Sequence, residues 1–166
     1  MCKFHAKVKG ELIYIGSRDG FSAREFHSKC DGKANTLTII KSTNGNIFGG
    51  FTTEAWSSSE SWVKDTRAFV FSLVNNKNKP FRRGYQGKDK SSLWCSSSYG
   101  PCFGNDIVIA SNSNANLNSF ANFGHSYKHR SYKQGSDSAM TILAGSFEFQ
   151  TLEIEVFSLK KFRKGH

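Results

Sequence analysis

Two β-prone runs, Thr36-Leu-Thr-Ile-Ile-Lys41 and Asn46-Ile-Phe-Gly-Gly-Phe51, stand on either side of one Asn44-Gly45 dipeptide. Asn and Gly both tolerate positive φ, so the dipeptide predicts a tight hairpin with a type I′ turn. An isolated hairpin is marginal in water, so this one needs further strands to pack against. Gly49 and Gly50 weaken the second strand entropically and predict a bulge, or a place where another segment lies against bare backbone. They do not form a phosphate loop, since no G-x-x-x-x-G-K-S/T or G-x-G-x-x-G pattern leads into a helix.

Further strands are available. Arg67–Val74 is apolar on both faces and suits a central strand, and Asp106–Ser111 is another strong candidate. Phe81–Tyr85 and Ser92–Ser96 are shorter ones, and Asn75–Pro80 is turn chemistry. Glu54–Asp65, with Trp56 and Trp62, reads as a long connection, and Asn112–Asn122 as a polar loop. In Ser146–Phe157, Phe147 and Phe149 occupy odd positions while Leu152, Ile154 and Val156 occupy even ones. One strand buries both sets only with a bulge or bend near Gln150-Thr151, which leaves Glu153 and Glu155 pointing away from the main core.

Helix is scarce. Ser22-Ala-Arg-Glu25 is a capping box, Phe21 and Phe26 form a hydrophobic staple, and Gly32 closes the helix. Its buried stripe includes His27 and Cys30 as packing residues. A second helical turn is expected around Ser138–Leu143. Ser, Asn and Gly supply 50 of the 166 residues, which leaves little sequence for long helices, while 15 Phe supply a core. The expected fold is mostly β, a sandwich of two antiparallel sheets with one or two short flanking α-helices.

The net charge is +10, with Lys160, Lys161, Arg163 and Lys164 near the C-terminus and the rest spread over the domain. Scattered positive charge sets solubility and encounter rates and does not by itself make a nucleic-acid reader. Phe81-Arg82-Arg83-Gly84-Tyr85 interleaves aromatic and basic residues but departs from the ribonucleoprotein motif, so nucleic acid is not the expected partner. No apolar run approaches the roughly 18 residues of a membrane span, and no signal-peptide core is evident. Together with the missing N-x-S/T sequon this points to the cytoplasm.

Four cysteines (2, 30, 95, 102) form no C-x-x-C pair and are expected as reduced thiols. Cys95 and Cys102 flank a turn-rich hexapeptide that could bring them together, which makes them the candidates for redox chemistry. His125-Ser-Tyr-Lys-His129 has metal-like i,i+4 spacing but no H-E-x-x-H glutamate, so no metal is expected. Glu153 and Glu155 share a face, unlike an acid–base pair that flanks a substrate. No G-x-S-x-G elbow is present, no catalytic residue is assigned, and no cofactor is implied.

Gly20-Phe-Ser, Thr36–Lys41, Asn46-Ile-Phe-Gly-Gly50, Phe69-Val-Phe71, Cys102-Phe-Gly104 with Asp106-Ile-Val-Ile109, and Phe149–Phe157 occur in that order. The chain thereby resembles a TLDc domain, the module of the oxidation resistance proteins. The matched family-motif residues are Gly20, Phe48, Gly49, Phe103, Gly104, Glu153, Ile154 and Glu155, most of them readable as fold determinants. Asn105-Asp106 replaces the family's glycine-rich run. The division that follows is an extension over 1–11, a TLDc-like domain over 12–157 and a basic tail over 158–166. The resemblance implies a protein-interaction module linked to oxidative-stress protection, with the vacuolar proton-pumping ATPase as partner. A thiol-based antioxidant enzyme using Cys95 or Cys102 and an electrostatic polyanion binder are the alternatives.

Overall fold

The computed structural model describes residues 8–89 and 91–161. The predicted hairpin is present, formed by strands that we number in chain order with the rest. The first sheet contains β1 (Val8–Ile15), β2 (Thr36–Ser42), β3 (Ile47–Thr52), β5 (Phe69–Val74), β6 (Phe81–Gly84) and β12 (Thr151–Lys161). Its order is β1-β12-β2-β3-β5-β6. The second sheet contains β4 (Ser61–Val63), β7 (Leu93–Cys95), β8 (Tyr99–Phe103), β9 (Ile107–Ala110), β10 (Ser119–Ala121) and β11 (Glu148–Phe149), in the order β11-β10-β9-β8-β7-β4. Every pairing within the two sheets is antiparallel. Pairing of β1 with β12 runs from Val8–Lys161 to Ile15–Glu155, past both limits of the 12–157 division.

Three short helices complete the architecture: α1 (Gly16–Asp19), α2 (Ala23–Cys30) and α3 (Asp137–Thr141). At α2 the Ser22 Oγ accepts the Glu25 N–H at 3.2 Å, so the serine half of the capping box forms. Phe26 from the apolar stripe of α2 meets Tyr14 and Trp56 edge-on at 5.7 and 5.3 Å. Trp56 in turn meets Phe103 of the other sheet at 5.6 Å. His27 is buried as the stripe requires. Its Nε2 lies 2.8 Å from the Ser96 carbonyl oxygen and its Nδ1 lies 2.6 Å from Asp31 Oδ1, tying α2 to the β7–β8 turn.

Several local expectations are corrected. The β2–β3 turn is not type I′: Gly45 has φ +85° but Asn44 is not in the positive region. Gly45 N–H bonds to the Ser42 carbonyl and Ser42 N–H to the Asn46 carbonyl, both at 3.0 Å, the pattern of a type I turn closed by a glycine bulge. The connection Glu54–Asp65 contains β4, the loop Asn112–Asn122 contains β10, and the hexapeptide after Cys95 runs into β8. β4 and β10 are too short to carry a periodic signal, the Gly100-Pro101 pair masks the strand character of β8, and all three form because neighbours supply their hydrogen bonds.

Near Gln150 the chain leaves the second sheet as β11 and enters the first as β12, with a register shift between Thr151 and Glu153. The predicted irregularity is therefore real. It does not bury both apolar sets, however: Phe149 and Ile154 are 1% exposed, whereas Phe147 and Leu152 are 39% and 53% exposed. The glycine pair has the second of its two predicted explanations. A Cβ on Gly50 would lie 2.5 Å from the Phe103 ring, which reaches across from the second sheet.

Candidate functional site

Among the candidate residues the thiols are the ones with intrinsic nucleophilic reactivity. Cys30, Cys95 and Cys102 are free and wholly buried, and Cys2 lies outside the described residues. Burial pushes the Cys30 and Cys102 thiols up to about 12 and raises Cys95 as well, so thiolate, the nucleophilic form, is disfavoured at all three. β7 and β8 are paired neighbours, with Trp94 opposite Cys102, but Cys95 and Cys102 are not bonded to each other.

Most of the family-motif residues sit in the framework. Phe48 is buried and meets Phe149 edge-on at 5.5 Å, Phe103 and Ile154 are buried, and a Cβ on Gly49 would overlap the Thr38 carbonyl oxygen at 1.9 Å. Gly20 and Gly104 adopt φ of +103° and +58°. The Glu153 carboxylate accepts the Ser17 N–H at 3.0 Å and so holds the first turn of α1, while Glu155 stands half-buried opposite Ile15 and Ile39. β12 (Thr151–Lys161) is thus an interior strand with carboxylates on its outer side.

Asp106, at the departure from the family's glycine-rich run, is fully buried. Its carboxylate accepts the backbone N–H groups of Gly124 (2.8 Å), His125 (3.0 Å), Ser126 (2.7 Å) and, more weakly, Tyr127 (3.4 Å). Burial raises its pKa against the opposing pull of these four donors. The result is an anchored loop that sends His125 and His129 in different directions. His125 lines a cleft of about 300 Å³ with Trp62, Asp89, Ser91 and Asn105. His129 packs against Phe81 at 5.7 Å, so the i,i+4 pair does not form one metal-binding face. Among the described residues no group of three or more His, Cys, Asp and Glu side chains is placed to hold a metal.

The surface of the first sheet is the feature that residue-by-residue reading missed. Direct cross-strand partners share one face. Leu12 pairs with Phe157, Phe157 with Leu37, Leu37 with Phe51, and Phe51 with Phe69, which places one apolar row across β1, β12, β2, β3 and β5. The row lies on the face opposite the core: Val156, Thr38, Gly50 and Val70, the inward neighbours, are buried, whereas Leu12 is 37% exposed and the other row members are half-buried. Phe51 and Phe69 stack at 5.1 Å, and the Arg82 guanidinium lies 4.6 Å over the Phe69 ring. The adjacent row carries Glu155, Ile39, Phe71 and Arg82. None of the described helices has β2, β3 or β5 as a principal packing neighbour, and on this face Leu37, Ile39, Phe51 and Phe69 stand half-buried. The sequence signal was there, in the apolar residues on both faces of Arg67–Val74, but it reads equally well as a doubly buried strand.

The model of the TLDc domain family matches residues 2–160. A zebrafish (Danio rerio) protein described as MTOR-associated protein MEAK7 is 29% identical over 62 residues, which is 37% of this chain and 14% of that protein. The similar segment thus spans a small part of that relative's length.

Proposed function

The chain belongs to the TLDc domain family, and from that premise we propose that it is a non-catalytic protein-interaction module whose docking face is the outer side of the first sheet. The apolar row Leu12–Phe157–Leu37–Phe51–Phe69 carries this reading, because a five-strand stripe of that kind is stabilised when a partner removes it from water. The partner is the vacuolar proton-pumping ATPase, as family resemblance implies, and the site of action is the cytoplasm. Protection against oxidative damage follows from that partnership and not from Cys30, Cys95 or Cys102, which are buried with raised pKa values. Similarity to a protein described as MTOR-associated supports a role in assembly with other proteins.

The test is retention of purified vacuolar ATPase by the immobilised full chain at about 0.5 M salt, where the Debye length is roughly 4 Å and diffuse attraction is screened. Leu12→Asp and Phe51→Ser, each checked for an unchanged circular dichroism spectrum, should reduce retention by ~10-fold or more. Undiminished retention by both folded variants, or no retention by the unmodified chain, refutes the reading.

A further inference from the structure

A second cleft, of about 780 Å³, opens where the end of β6 meets the turn after the Asp106-anchored loop. It is lined by Arg83, Gln86, Lys128, His129, Arg130 and Ser131, three permanent cations with no carboxylate among them. None of these cations forms an ion pair among the described residues, and the buried Arg83 Nε has no hydrogen-bond partner there. A guanidinium short of an acceptor beside two further cations is a costly arrangement unless an anion completes it.

The walls are also built. Gln86 N–H bonds to the Ser126 carbonyl at 3.1 Å, fixing the end of β6 to the loop. Ser131 N–H donates to His129 Nδ1 at 3.0 Å, so the neutral ring carries its proton on Nε2 as a donor. The ring is held edge-on by Phe81 and Tyr132 at 5.7 and 5.0 Å. Burial and then the Arg83 charge hold His129 below its ordinary range, which fits a field of uncompensated positive charge.

We propose that this cleft is a binding site for a ligand bearing several phosphomonoester groups, the chemistry shared by inositol polyphosphates and phosphoinositide headgroups. A phosphomonoester offers nearly two charges and three acceptor oxygens to Arg, Lys and imidazole donors, where a carboxylate offers one charge and two oxygens. The volume accommodates more than one such group. The aromatic rings here are packed against each other, unlike the separate exposed rings on which successive bases of single-stranded RNA stack. Arg83 stands opposite Val70, on the face of β6 away from the apolar row, so the site is separate from the proposed docking face.

The experiment is calorimetric titration of the full chain with myo-inositol hexakisphosphate at about 0.15 M salt. Parallel arms use sedimentation with phosphatidylcholine vesicles containing about 5 mol % phosphatidylinositol 4,5-bisphosphate and an oligouridine RNA. Saturable binding in either phosphate arm, reduced ~10-fold or more by Lys128→Gln/Arg130→Gln and further by adding Arg83→Gln, supports the site. Binding in the vesicle arm alone assigns the ligand to a bilayer headgroup, and in the soluble arm alone to a free phosphate. Lys128 and Arg130 are exposed, so the double variant tests the site even if the Arg83 substitution impairs folding. No saturable phosphate binding, binding to RNA alone, or an equal loss in the charge-matched variant Lys77→Gln/Lys79→Gln overturns it.

Discussion

Replacing the Asp106 carboxylate by an amide keeps the shape of the side chain and changes only what it can accept. Oδ1 takes the Gly124 and His125 N–H groups at 2.8 and 3.0 Å, and Oδ2 takes Ser126 N–H at 2.7 Å. In Asp106→Asn the better of the two amide orientations keeps Oδ1 as oxygen and turns an NH₂ towards Ser126 N–H, donor against donor. The loss is one charge-assisted hydrogen bond plus an unsatisfied buried donor, offset in part because a charge is no longer buried, for a net cost of ~2–3 kcal/mol. Asp106→Ala strips all the acceptors from the loop and costs ~3–5 kcal/mol. For a chain of this size these correspond to falls in Tm of ~4–12 °C and ~6–20 °C. Urea unfolding with fitted slopes measures the energies, and amide exchange at Gly124–Tyr127 locates them. If Asp106→Asn lies within ~0.5 kcal/mol of the unmodified protein and those amides stay protected, the carboxylate is not what anchors the loop.

Four further outcomes are expected. Thr38 Oγ1 is buried without a partner on the inner face of β2, so Thr38→Val should raise stability by ~1 kcal/mol in the same urea assay. Gly50→Ala, whose Cβ would strike the Phe103 ring, should cost ~1–3 kcal/mol, and Gly49→Ala should cost more, since backbone at Thr38 cannot move aside as a ring can; thermal melts rank them. Cys30, Cys95 and Cys102 should react with a thiol reagent at neutral pH only after unfolding, and peroxide consumption should be the same in Cys95→Ser and Cys102→Ser. Burial pushes Asp65 up, but N–H donors from Thr53 and Arg67 and the hydroxyls of Thr52 and Thr53 bring it net below 3.8; its contribution is therefore complete above that pH and lost as pH falls through the lower folded value. Asp65→Asn should flatten that acid limb of a pH–stability curve.

The sequence by itself determined the elements whose information is local. The Ser22 cap and the Phe26, His27 and Cys30 stripe of α2, the hairpin about Asn44-Gly45 and the apolar strand Ile107–Ala110 are all specified by neighbours within a few positions, because capping, turn conformation and side-chain alternation act over that range. The two-sheet fold class follows from having many such segments and few helices. Only tertiary structure decided the rest. β4, β10 and β11 are two or three residues long and exist because a neighbouring strand offers hydrogen bonds. Phe147 and Leu152 look like core in one dimension and are exposed because the chain changes sheets between them. The apolar row draws single residues from five strands, and the basic cleft joins Arg83 to Lys128 and Arg130. Neither surface has a contiguous sequence signature, because strand register creates the row and a loop that one buried carboxylate holds in place creates the cleft.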